Sequence, residues 1–240
     1  MSVPVDTTKV EFFQQTLIQW FKKHGRDLPW RKTRDPYHIL VSEFMLQQTQ
    51  VVRVAQDFFH QFLERFPSIQ ALAEADEAAV LEAWAGLGYY NRAKNLHKIA
   101  KIIVSEFKGE FPKDYDQILN LPGIGKYTAG AILSFAFNLD FPIVDTNVHR
   151  ILKRVFLQDF KKLSPAKLEK VIWDVSEQVL LKGDAWTFNQ AILDLGALIC
   201  IAQKPRCAKC PMHSICQYYQ NRVSKPGSIL YWTKSNLAGK

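Results

Sequence analysis

Two stretches of this sequence carry residue types whose spacing could do chemistry. The chain has four cysteines, Cys200, Cys207, Cys210 and Cys216, in the pattern C-x6-C-x2-C-x5-C. A disulfide framework would be spread along a small secreted chain, whereas four thiols gathered in one short stretch point to a single metal site. Four thiolates can hold zinc or a 4Fe–4S cluster. Zinc ribbons use two CxxC knuckles about 15–20 residues apart, and one such knuckle is present. The other stretch is "LPGIGKYTAG" at 121–130. A P-loop needs GxxxxGK followed by Ser or Thr after a strand, and a dinucleotide turn needs GxGxxG after a strand; neither spacing occurs here. Two readings remain. One is a plain helical hairpin. In the other, Gly123 and Gly125 let the N–H groups that open the next helix approach an anion such as a nucleic-acid phosphate, with Lys126 adding positive charge.

The elements that must position these residues read as helices almost throughout. Phe13, Leu17, Trp20 and Phe21 recur at helical spacing and Gly25 stands where that helix should end. Asp35 with Pro36 looks like an N-cap and a first-turn proline, and Ser164-Pro165 repeats the pattern. Val51, Val54, Phe58, Phe62 and Phe66 form an apolar stripe behind a Thr49 cap. Further helices are predicted at 68–74, 76–85, 91–107, 114–120, 126–137, 146–156, 165–181 and 186–199. No segment alternates long enough to demand a strand, so the fold class is all-α. The stretch 218–240 reads as a tail.

At 240 residues the chain has material for one large or two small domains. Hydrophobic residues at 48% and charged residues at 22% are ordinary for a globular protein. No apolar run approaches the roughly 20 residues of a membrane helix, and the N-terminus shows no secretory pattern, so no membrane partner and a cytoplasmic, nucleoid-associated location are the expectation. The net charge of +8 favours an anionic partner, though it also suits a merely basic protein.

"LPGIGKYTAGAIL" followed by "VDTNVHR" resembles the helix-hairpin-helix and Gly/Pro-Asp motif of the base-excision DNA glycosylases. That superfamily includes endonuclease III and the MutY-type adenine DNA glycosylases. The match runs from "DLPWRKTRDPY" at 27–37 to the cysteines. The resemblance implies two helical lobes with the active site in the cleft between them. One is a six-helix barrel over 28–135 that holds the hairpin. The other, formed by 1–27 and 136–217, holds a 4Fe–4S cluster on Cys200, Cys207, Cys210 and Cys216. It implies a monomer acting on double-stranded DNA with a mispaired base, the hairpin binding phosphates through backbone amides. By the same analogy Lys204 and Arg206 face DNA; solvated surface charges are the plainer reading.

Breaking a base–sugar bond passes through an oxocarbenium-like state, which calls for an acid to protonate the leaving base and an anion to stabilise the sugar. Glu43 in "VSEFMLQQTQ" sits among apolar neighbours, where burial would keep a fraction protonated. In MutY-type enzymes the glutamate of this motif protonates adenine and handles the water. Asp145 opens "DTNVHRILKR" as an apt N-cap; in the superfamily the matching aspartate stabilises the cationic sugar, and Asn147 matches an asparagine that positions water and carboxylate. Tyr127 stands where the endonuclease III branch has a Schiff-base lysine. A phenol cannot form that imine, so a monofunctional enzyme is expected. Gln48 and Tyr89 match the family's wedge pair, and Arg26, Leu28, Trp30 and Arg31 match residues that line or border its adenine pocket.

MutY-type enzymes usually carry a further C-terminal Nudix-like domain that reads 8-oxoguanine, and only 24 residues follow Cys216 (240 less 216). Adenine excision opposite 8-oxoguanine or guanine is the expected activity. Removal of thymine or uracil opposite G, by a branch in which "MLQQTQ" and "GLGYY" are not expected, is the first alternative. A non-catalytic iron–sulfur DNA-binding protein is the second.

Overall fold

The computed structural model describes residues 3–158 and 163–223. Among them every regular element is a helix, as expected from the sequence. In chain order these are α1 (Thr7–His24), α2 (Pro36–Leu46), α3 (Val51–Arg53), α4 (Phe59–Arg65), α5 (Ile69–Glu74), α6 (Glu77–Ala83), α7 (Asn91–Phe107), α8 (Tyr115–Leu119), α9 (Lys126–Phe137), α10 (Thr146–Phe156), α11 (Pro165–Val179), α12 (Ala185–Leu198) and α13 (Gln217–Val223). A π-helical turn, Val54–Phe58, joins α3 to α4. Two compact units result: Arg26–Ile143, and Met1–Gly25 with Val144–Lys240. The stretch read as a tail begins inside α13; beyond residue 223 it lies outside the described residues.

In the unit Arg26–Ile143, α2 starts as its sequence predicts. Asp35 Oδ1 accepts the Tyr37 N–H at 2.8 Å, and Pro36 occupies the first turn. From 39 to 45 every residue is buried, because α2 is apolar on nearly all sides and such a helix must be enclosed. It packs against α4, α7 and α9, while α5 and α6 cover α7. Leu40, Phe44, Phe62, Trp84, Leu96 and Ile103 form the interior, each contributing roughly 1.5–3 kcal/mol on burial. The Tyr37 hydroxyl, sealed inside, donates to Phe66 O at 2.7 Å. Thr49 is not the cap of the helix behind it. Gln50 holds the N-cap of α3 without a side-chain bond, and the Thr49 hydroxyl accepts from Arg92 at 3.2 and 3.3 Å.

In the other unit α1 packs on α11 and α12, and α10 on α11, α12 and α13. Phe13 stands edge-on to Phe156 and Phe188, with ring centres 5.3 and 6.1 Å away. Leu17, Ile151, Ile172, Val175 and Ile192 complete that core. Gly25 ends α1 as expected, through crowding: a Cβ there would meet the Phe21 ring and carbonyl at 2.8 Å.

Candidate functional site

The glycine stretch forms the turn of a helix-hairpin-helix between α8 and α9. Asp114 caps α8 by accepting the Gln117 N–H at 2.9 Å. Leu121 and Ile124 are buried and pin the turn. Gly123 has φ +77°, a left-handed conformation that favours glycine, and a Cβ there would press on the Asn95 side chain of α7, 2.5 Å from Nδ2. Gly125 differs: a Cβ would meet nothing within 4 Å. It is the N-cap of α9, whose first-turn N–H groups have no intrahelical acceptor. Lys126 is exposed beside them and Tyr127 is half-buried; consecutive helical positions point about 100° apart.

Glu43 is 5% exposed on α2 of the same unit. The chain leaves that helix through a loop whose tip, Gln48, is exposed at φ +57°. A second loop, between α6 and α7, has its tip at Tyr89, 63% exposed at φ +49°. Left-handed backbone at a residue other than glycine costs of order 1–3 kcal/mol and persists only where surroundings impose it. The surroundings here are Arg92, buried in the first turn of α7. Its Nη1 donates to Phe44 O, Met45 O and Gln47 O of the first loop. Its Nη2 donates to Leu87 O and Gly88 O of the second, at 3.0 and 3.1 Å. Gln47, Gln48, Tyr89, Tyr90, Asn91 and Arg92 line an open cavity of about 310 Å³. Sequence reasoning missed Arg92. Its one visible mark is a cation on the apolar face of α7, next to Ala93 and four residues before Leu96.

Of the residues matched to the adenine pocket, Leu28 and Trp30 are packed inside, 8% and 7% exposed, with Trp30 edge-on to Phe59. Arg31 Nη1 donates to Arg26 O at 2.9 Å, which folds the segment back on itself.

Asp145 and Asn147 lie in the other unit, at the start of α10. Asp145 Oδ1 accepts the N–H groups of Asn147 and Val148 at 2.8 and 2.7 Å, so it is the N-cap that its position suggests. Its Oδ2 accepts Asn147 Nδ2 at 2.8 Å. Asn147 Oδ1 in turn accepts Arg150 Nη2 at 2.6 Å, and Arg150 continues to Gly196 O and Cys200 O. A Cβ at Gly196 would lie 2.6 Å from Asn147 Cβ, so the glycine lets α12 approach this network. His149 is half-buried, its Nε2 3.6 Å from Glu169 Oε2.

All four cysteine thiols line one small cavity, walled by Ile151, Leu195, Ile199 and Met212. Burial pushes the thiols of Cys207 and Cys216 up, and that of Cys210 up to about 12. Arg154 Nη1 approaches Cys200 Sγ at 3.4 Å and donates to Ile201 O at 2.8 Å. Among the described residues no three His, Cys, Asp or Glu side chains close on a single ion. Lys204 and Arg206, between the first two thiols, are exposed.

A helix-hairpin-helix followed by an aspartate that caps the next helix defines a class, and a family profile agrees. The chain belongs to the HhH-GPD superfamily of base excision DNA repair proteins, whose profile matches residues 41–178. It is 44% identical over 210 residues to a protein named adenine DNA glycosylase from Buchnera aphidicola subsp. Baizongia pistaciae, covering 87% of this chain and 59% of that one. A protein of the same name from Mycolicibacterium smegmatis is 44% identical over 200 residues, covering 82% and 66%. Among solved structures, a thermostable thymine-DNA glycosylase superposes with a TM-score of 0.82 at 31% identity, covering 89% of this chain and 98% of that one. The chain thus spans roughly three fifths to two thirds of the length of these two curated relatives.

Proposed function

We propose that this chain hydrolyses the N-glycosidic bond of adenine mispaired with 8-oxoguanine or guanine in double-stranded DNA and leaves an abasic site. One observation carries the reading: an ionisable side chain, Glu43, is 5% exposed on a helix otherwise built of core residues, in the unit that holds the hairpin. A carboxyl group enclosed in this way, shielded from bulk water, is placed to act as the acid that protonates the leaving base. Once the base has left, the same carboxylate takes a proton from the attacking water. Asp145 serves as the anion facing the developing sugar cation; Asn147 fixes its free oxygen and Arg150 fixes Asn147. Tyr127 cannot form an imine, so the reaction ends at the abasic site. Gly123, Gly125 and Lys126 hold the backbone phosphates, while Gln48 and Tyr89 occupy the gap left by the extruded base. Arg26, Leu28, Trp30 and Arg31 border the adenine. The chain acts as a monomer in the nucleoid-associated cytoplasm, and among the described residues no helix is long and apolar enough to cross a membrane.

A 4Fe–4S cluster fits the donor set. Four thiols share one cavity, and a cluster needs each to reach a different iron rather than all to meet at one ion. Cys200, Cys207, Cys210 and Cys216 would hold it. When bound, it supplies iron–thiolate bonds that cross-link residues 200–216, and Arg154 holds that loop against α10.

A second reading, thymine or uracil removal opposite G, draws on the 0.82 TM-score with a thymine-DNA glycosylase. Single-turnover excision on duplexes with A:8-oxoguanine, A:G, T:G and U:G, with and without alkali, separates the two. Alkali-dependent cleavage at adenine is expected. Cleavage only at T:G or U:G supports the second reading, and DNA binding without turnover would leave a non-catalytic protein.

A further inference from the structure

The guanidinium of Arg92 is divided between two loops that meet nowhere else in sequence. Nη1 takes three carbonyls at the end of α2, and Nη2 takes two carbonyls of the loop before α7. Both nitrogens also reach the Thr49 hydroxyl. The guanidinium lies over the rings of Trp84 and Tyr89, with centroids 5.4 and 5.5 Å away, and Trp84 Nε1 donates to Gly88 O at 3.2 Å. The acceptors are backbone carbonyls and one hydroxyl rather than carboxylates. The bonds enclose the two tips, Gln48 and Tyr89, each in a left-handed conformation unfavourable to its residue type. A planar fork with five N–H donors can bind two loops at once; a lysine ammonium, with three donors at one point, cannot reach both sets.

We infer that Arg92 is a positioning residue that locks Gln48 and Tyr89 into one strand-parting unit, so that both tips enter the duplex together in a preset geometry. This rests on the reading above that the chain extrudes a base. The fork makes each loop the support of the other, and the Tyr89 ring is seated on the group that holds the Gln48 loop. Preset geometry lowers the ordering cost at the moment of insertion.

The test is Arg92→Lys, with single-turnover excision measured on two duplexes. One contains the adenine mispair. The other contains the same adenine bulged, with no opposing base to displace. Extrusion is followed in both by 2-aminopurine fluorescence. The expected result is excision and fluorescence rise about tenfold or more slower on the mispair, and within about twofold of wild type on the bulge, a gap worth one or two lost hydrogen bonds. Equal slowing on both substrates assigns Arg92 a general structural role and overturns the inference, as does no slowing on either. A wild-type chain inactive on both would sink the functional reading instead. If circular dichroism shows that Arg92→Lys does not fold, Thr49→Val carries the test. It removes one shared acceptor and should slow the mispair about two- to threefold relative to the bulge; an unchanged ratio overturns the inference.

Discussion

Asp145→Asn exchanges one oxygen for an NH2 group and thereby separates two roles of the residue. Asparagine caps helices as well as aspartate, so the bonds from the Asn147 and Val148 N–H groups survive. The exchanged atom is the one that accepts Asn147 Nδ2 at 2.8 Å, so a donor then faces a donor. If Asn147 flips, its NH2 instead meets Arg150 Nη2, which now donates to its carbonyl at 2.6 Å. Either way one charge-assisted bond is lost in a half-buried site, about 1.5–2 kcal/mol. For a chain of this size that lowers Tm by roughly 3–8 °C. The chemical loss is larger. A carboxylate about 4 Å from the sugar cation, at an effective dielectric of about 20, contributes about 4 kcal/mol, or about a thousandfold in rate. Adding Asn147→Asp restores the network, because the carboxylate introduced there accepts both from the new amide of Asp145→Asn and from Arg150, but the charge sits two residues away. Single-turnover excision and thermal melts on the two variants should therefore show Tm recovering in the double variant and the rate not recovering. Recovery of the rate with Tm, or a loss below tenfold in Asp145→Asn, would refute the electrostatic role and leave Asp145 a cap.

Glu43→Gln should lower excision by at least about a hundredfold, the lower end for a lost general acid–base, while mobility-shift affinity for mispaired DNA stays near wild type; full activity would remove the mechanism. Tyr127→Lys places an amine at the first turn of α9 and should give borohydride-trappable adducts and some strand nicking, seen as cleavage without alkali. His97 is 2% exposed on α7, its pKa lowered first by burial and then by Lys101, against the opposing pull of Glu77 and nearby carbonyls. The unfolded chain therefore binds a proton more readily than the folded one. Stability should be full above about pH 6.5 and fall as pH drops through that value toward the folded pKa. His97→Gln should flatten that stretch of a denaturation-versus-pH curve, and an unchanged slope would count against it.

The helices were legible because their causes are local. The spacing of Phe13, Leu17 and Trp20, and the pair Asp35-Pro36, act within a turn or two, and the structure starts α2 and α11 at their prolines, although Ser164 makes no side-chain capping bond. The thiol spacing likewise belongs to one short loop, and Asp145 caps its own helix through neighbours two and three residues on. Thr49 shows where this fails. As a local residue it suits an N-cap, but a guanidinium 43 positions away takes its hydroxyl.

By itself, then, the sequence determined the all-α class, the existence of most helices, the GxG turn and which carboxylates and thiols could do chemistry, because periodicity and capping are short-range; the π-turn Val54–Phe58, which breaks the stripe from Val51 to Phe66 and buries Phe59 in place of Phe58, it did not. Only the tertiary structure decided what holds them. Arg92 reaches carbonyls up to 48 residues away, Arg150 reaches Cys200 at a separation of 50, and a Cβ at Gly123 would press on the Asn95 side chain of α7. Such partners leave no periodic trace in the chain, because a buried donor can be satisfied by any carbonyl that packing brings within reach.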